Sequence, residues 1–133
     1  MNTVYAREDY LGADDYIDIV RKSGLNRPVE DRGRVERMLA HANLILTARQ
    51  DGRLVGFARS LTDFCFCCYL SDLAVDKACQ GQGIGKRLIE ETRTQAGGDQ
   101  TTTLLLSAPT AMTYYQGIKM PHADNCFLYR RQR

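Results

Sequence analysis

An apolar, strand-like run, "FCCYLSDLAV" (66–75), leads to three glycines at alternate positions, Gly81, Gly83 and Gly85. Behind them stands "IGKRLIEETRTQ", where Ile84, Leu88, Ile89 and Thr92 recur at helical spacing. This strand–loop–helix unit restricts the fold more than any other stretch of the chain. Glycine weakens a helix, so its concentration where one begins needs a reason. A flexible turn is one. The other is a phosphate cradle: the first N–H groups of a helix lack intrahelical partners and carry the positive end of its dipole, and a backbone without Cβ atoms lets an anion approach them. Two common phosphate loops are excluded. A P-loop needs glycine and Ser/Thr where this chain has Gln80 and Arg87, and G-x-G-x-x-G would need its last glycine at Lys86 or Leu88.

The remaining elements surround this unit. Residues 2–7 read as a strand. "ADDYIDIVRKSG" reads as a helix, with Tyr16, Ile17 and Val20 on one side and Gly24 as its stop. "VEDRGRVERMLAHAN" reads as a second helix with Val35, Met38 and Leu39 as its apolar stripe. "LILTARQDGRLVGFARSL" is a hairpin, two strand-like runs joined at Asp51-Gly52. After the glycine unit come a strand in "TTTLLLS", a short helix in "APTAMTYYQG" and a last strand in "NCFLYRR". The expected class is α/β (α+β): a mixed, mostly antiparallel central sheet flanked by helices, built as one domain over residues 1–133.

The 133 residues, 44% hydrophobic and 26% charged, suffice for one core. A formal net charge of +2 gives no support for nucleic acid as the main partner. "MNTVYAREDY" has no signal-peptide core, and no run approaches transmembrane length, so a cytoplasmic protein without a membrane partner is expected. The five cysteines do not form two paired C-x-x-C motifs and have no nearby histidine; they read as small buried apolar side chains, with no metal and no disulfide.

Gln80, Gly83 and Gly85 spell Q-x-x-G-x-G. With the strand before it, the helix after it and Tyr115 on the following strand–helix unit, this resembles the acetyl-CoA signature of the GNAT N-acetyltransferase superfamily, with the similarity running over residues 43–118. The resemblance implies the GNAT acyl-CoA N-acyltransferase fold. It places the CoA pyrophosphate on the backbone of Gln80, Gly81, Gln82, Gly83, Ile84, Gly85 and Lys86. It places the pantetheine arm along Leu73, Ala74 and Val75, on a strand splayed from its neighbour. "AMTYYQGIKM" is similar to the family's A-x-x-[FY]-Y-x-x-x-G-F. That similarity makes Tyr115 the acid that protonates the departing thiolate and Tyr114 a packing residue. A phenol, with an ordinary pKa of about 10, keeps its proton for such a task. Two departures stand out: the pattern's Gly-Phe reads Lys119-Met120, and its Asn near the helix start is replaced in the stretch Ser107, Ala108, Pro109.

No side chain qualifies plainly as general base. Strand alternation puts Tyr69, Ser71, Leu73 and Val75 on one face and Leu70, Asp72 and Ala74 on the other. Asp72 is therefore expected to hold a structural hydrogen bond, Asp63 to serve either a turn or the substrate mouth, and His41 and His122 to be ordinary surface residues. Water is then the carrier of the amine proton. Phe64, Tyr69 and Ser71 are the candidate substrate-binding residues, with Phe66 and Tyr114 either joining them in an aromatic pocket or packing in the core. The expected activity is acetyl transfer from acetyl-CoA to a primary amine of a small molecule by direct attack in a ternary complex. The competing readings are a protein amine as acceptor, an acyl-CoA-binding module without turnover, and nucleotide binding through the same loop. A monomer and a homodimer paired through "NCFLYRR" both remain open.

Overall fold

The computed structural model describes residues 2–133. Five strands form one sheet in chain order: β1 (Thr3–Arg7), β2 (Leu44–Gln50), β3 (Arg53–Thr62), β4 (Cys67–Val75) and β5 (Thr102–Leu104). The first four pair antiparallel, and β5 joins β4 in parallel. At the β2–β3 turn Asp51 and Gly52 both take positive φ, 52° and 78°, the conformation a two-residue hairpin needs to match strand twist.

The helices α1 (Ala13–Ser23) and α2 (Arg32–Ala40) cover one face of the sheet. Tyr16, Ile19 and Val20 of α1 and Val35 and Leu39 of α2 pack there with Ile45, Phe57 and Ala74. Acidic Asp14 and Asp15 open α1 and basic Arg21 and Lys22 close it, in agreement with its dipole; Gly24 ends it at φ 82°. The other face carries α3 (Ile84–Ala96), whose Ile84, Leu88, Ile89 and Ala96 meet Leu44, Leu46, Val55, Ala58 and Leu70. Burying each such side chain contributes about 1.5–3 kcal/mol. Gly56 permits this close fit, because a Cβ there would stand 3.0 Å from the Ala74 carbonyl and 3.4 Å from Leu88. A short helix, α4 (Met112–Gly117), comes after β5.

Four sequence expectations are corrected. "TTTLLLS" forms only a three-residue strand, because beyond Leu104 the chain diverges from β4. "NCFLYRR" forms no strand: it acquires no ladder partner, and Phe127 and Tyr129 stand fully exposed. Strict alternation fails in β4. Arg59 pairs with Asp72 but Ser60 pairs with Leu70, which leaves Ser71 as an extra, bulged residue. Leu70 consequently shares the α3 face with Leu73 and Val75, while Asp72 and Ala74 face the α1 side. Finally, only Cys68 and Cys79 are buried. Cys65 is exposed in the β3–β4 turn, Cys67 at the start of β4 and Cys126 in the C-terminal segment, and all five are free thiols.

Candidate active site

The parallel pairing of β4 with β5 stops at Tyr69 and Leu104, so β4 runs on from Leu70 to Val75 without a neighbour on that side. The ladder fixes what this exposes. The Asp76 N–H donates to the Val55 carbonyl, so Val75 and Leu73 occupy the alternate positions whose N–H and C=O groups point away from β3. These groups look into a cavity of about 600 Å³. Its walls are the end of α1 with the adjoining loop (Ser23–Asn26), β4 from Leu70 to Val75 apart from Asp72, the glycine loop, and the segment from Leu105 to Ile118.

The glycine loop closes one end. A single 3-10 turn, Lys77–Cys79, is capped by the Asp76 side chain, which accepts from the Ala78 N–H. Gly81 and Gly83 then take φ 83° and 80°, and a Cβ on either would meet no atom within 4 Å. Their glycine identity therefore answers to backbone conformation and open space, not to protein packing. The first helical bond of α3 runs from the Arg87 N–H to the Gly83 carbonyl, and no side chain caps the helix. The N–H groups of Ile84, Gly85 and Lys86 are thus left to an external acceptor. Gly85 is glycine for a different reason: a Cβ there would collide with the Tyr114 hydroxyl. Tyr114, expected either to pack or to join an aromatic pocket, lines the cavity and lays its phenol against the first turn of α3.

Gln80 lines the cavity and donates from its amide to the Val75 carbonyl (3.0 Å). The Gln82 side chain does not line the cavity and accepts from the Gln50 amide (3.0 Å). Leu73, Ala74, Val75, Gly81, Gly83, Ile84, Gly85 and Lys86 all line the cavity, as does Ser71. Phe64 and Tyr69 do not. Phe64 lies in the β3–β4 turn under the Arg7 guanidinium, 5.1 Å from its ring centre, and Phe66 is 79% exposed. Neither the aromatic pocket nor the core-packing reading fits these rings, because the turn carries them to the surface.

Tyr115 lines the cavity and leans on the α3-side core, its ring edge-on to Tyr114 at 5.2 Å. Burial, and then the neighbouring Tyr114, push its pKa above the ordinary phenol value of 10.0. The helix end that positions it is intact despite the Lys119-Met120 departure. The Met120 N–H donates to the Tyr115 carbonyl (3.1 Å) and the Lys119 N–H to that of Gln116 (3.0 Å), with Lys119 at φ 61°. This is a Schellman cap, in which Lys119 adopts the left-handed conformation usually left to glycine.

Asp72 is buried and accepts from the Tyr16 hydroxyl (2.7 Å), Arg59 Nε (2.7 Å) and Arg27 Nε (2.9 Å). Arg59 also donates to the Ser71 hydroxyl (2.9 Å) and Arg27 to the Ser71 carbonyl (3.1 Å), so the network clamps the β4 bulge. No local spacing reveals the role of Arg27, because its partner lies 45 positions away. Asp63 accepts from the N–H groups of Cys65, Phe66 and Cys67, which lower its pKa to about 2 and fix it as a turn residue. His41 Nδ1 lies 2.8 Å from the Arg37 carbonyl at the end of α2, and His122 is exposed; neither lines the cavity. Among the described residues no cluster of His, Cys, Asp and Glu is arranged to hold a metal ion, and no helix is long and apolar enough to cross a membrane.

Comparison with known proteins adds three findings. The family model described as "Acetyltransferase (GNAT) domain" matches residues 25–118. No curated protein matches the sequence. Among solved structures, a protein of unknown function from meticillin-resistant Staphylococcus aureus, named a probable acetyltransferase, superposes with a TM-score of 0.77 at 19% identity, over 98% of this chain and 99% of that one. A GNAT family acetyltransferase from Streptococcus pneumoniae gives 0.75 at 18% identity, over 99% and 100%. An aminoglycoside N-acetyltransferase solved with CoA gives 0.71 at 14% identity, over 99% and 96%. At these identities the likeness is one of fold.

Proposed function

The chain belongs to the GNAT acetyltransferase family, and from that premise we propose that it transfers an acetyl group from acetyl-CoA to a primary amine of a small molecule. The observation that carries this reading is the continuity of the cavity. It runs from the uncapped first turn of α3, along the Leu73 and Val75 stretch of β4 that has no neighbouring strand on that side, to Tyr115. The residues present fit the cosubstrate: Gly81 and Gly83 face open space that a Cβ would enter. When bound, acetyl-CoA supplies the acetyl group as a thioester, open to direct attack by the amine in a ternary complex.

In this reading the N–H groups of Ile84, Gly85 and Lys86 receive the pyrophosphate. The backbone of Leu73 and Val75 orients the pantetheine arm. The Tyr114 hydroxyl, beside Gly85, borders the pyrophosphate end and excludes water from it. Tyr115, held protonated by burial, donates to the departing thiolate. Among the described residues no carboxylate or histidine lines the cavity, so the amine proton leaves through water. The family's CoA-bearing neighbour and its aminoglycoside acceptors support acyl-CoA use and a small acceptor. The intact cap after α4 weakens the reading of a module without turnover, since the departure at Lys119 leaves Tyr115 on an ordered helix.

Calorimetric titration with acetyl-CoA tests the proposal. Unmodified protein is expected to bind in the micromolar range, about −8 kcal/mol. Gly83→Ala imposes both left-handed strain and a Cβ in the cradle. Gly98→Ala imposes the strain alone, at φ 61° with nothing within 4 Å, and Gly98 does not line the cavity. Affinity should fall at least about tenfold in the first and stay unchanged in the second. Equal affinities in all three proteins, or no binding by the folded parent, would refute the assignment.

A further inference from the structure

The charge around the β4 bulge does not balance. Two guanidinium groups, Arg27 and Arg59, share a single carboxylate, Asp72, and neither pairs with any other acid among the described residues. Tyr16, the third donor to Asp72, has its pKa pushed up by burial and by that carboxylate, and so stays neutral. One positive charge is left in excess. Arg59 is almost fully buried, whereas the Arg27 side chain is 26% exposed. The hydrogen bonds of Arg27 use Nε and Nη2, none of them Nη1. Arg27 does not itself line the cavity but borders it: its chain neighbours Leu25 and Asn26, and Ser71 to whose carbonyl it donates, form the wall beside it, and its partly exposed side chain stands at that rim.

An excess guanidinium held rigidly by one face is a receptor for an anion on the other. The Nε–Nη2 edge is locked to Asp72, so Arg27 loses little side-chain freedom when it binds something more. The excess is a single charge, which matches a monoanion. It repels a polycation, so the aminoglycosides bound by a structural neighbour suit this mouth poorly.

We propose that the acceptor is an amino carboxylate, whose amine reaches the cavity while its carboxylate pairs with Arg27. The inference rests on the acetyl-transfer reading and names the substrate class for it.

The test uses matched acids and amides, which differ only in the anion. The twenty standard α-amino acids and their α-amides are titrated calorimetrically into the CoA-loaded protein, and CoA-thiol release is then measured with those that bind. At least one acid should bind about tenfold or more tightly than its amide, the size expected of one charge-assisted hydrogen bond. In Arg27→Gln this preference should vanish, while acetyl-CoA affinity stays at the parental value; Arg27→Lys should restore part of it. Asp72 keeps Arg59 and Tyr16 in both variants, so no buried charge is stranded, and thermal melts confirm that they fold. Amides binding as well as acids throughout, no acid binding at all, or a preference that survives in Arg27→Gln overturns the proposal. Failure of the acetyl-transfer reading registers separately, in the acetyl-CoA titration.

Discussion

Tyr115 and Tyr114 are adjacent in sequence and line the same cavity, but they contact different parts of it. Tyr115 is half-buried against the α3-side core, and Tyr114 lays its hydroxyl over Gly85. Under the proposed function, Tyr115→Phe removes a proton donor without removing packing volume. Turnover should fall about 10²-fold, within the usual range for a general acid, while calorimetric acetyl-CoA affinity stays unchanged. The sign of the pH effect comes from the raised pKa. The acid works while protonated, so the alkaline fall in kcat should lie above the ordinary phenol value of 10.0, and the Phe variant should lack it. An unchanged kcat in that variant would assign the thiolate's proton to water. Spacing alone marks the special backbone of Gly81 and Gly83, because its reason is local: a positive φ facing open space. It does not show why residue 85 is glycine, since the atom that requires it belongs to Tyr114 on another element. Phe64 is misplaced by sequence for the same kind of reason. A ring at a turn looks like pocket material until the turn's direction is known.

Elements with a local signature are legible. The Asp51-Gly52 hairpin, the α1 stop at Gly24 and the apolar stripe of α3 each depend on a few consecutive residues. The bulge at Ser71 is not, because it is a property of the β3–β4 ladder, fixed by the Arg59–Asp72 pair across it. The end of α4 lies between these cases. Its motif departs at Lys119, yet the backbone there keeps the left-handed turn. A lysine in that conformation carries roughly 1 kcal/mol of strain that glycine would relieve. Lys119→Gly should therefore raise the urea midpoint by an amount equivalent to about 0.5–1 kcal/mol, with an unchanged slope. A decrease would mean that the lysine side chain supplies a contact worth more than the strain.

For the molecule as a whole, sheet order and helix placement derive from the order of elements, and the family match over residues 25–118 covers both the glycine loop and α4. The chain beyond Met120 is different. "NCFLYRR" has the β-rich composition of a strand, but composition supplies no partner, and the segment lies exposed. It is tied to the helical side by one bond, from Arg34 to the Arg133 carbonyl (3.1 Å). A chain ending at Met120 should unfold in urea with the parental midpoint and slope, since those residues expose nearly the same surface folded and unfolded. A smaller slope would show that they fold with the rest.

The α4 wall of the cavity has a consequence in time. Its six residues include none that is buried, and β5, which leads to it, is three residues long. Such a segment opens at a small fraction of the free energy that unfolds the sheet, so the cavity breathes on one side while the other stands still. A molecule that touches both sides then does more than occupy space. At a hundred times its Kd it stabilises the closed form by about 2.7 kcal/mol, enough to make the substrate itself the last structural member of the fold.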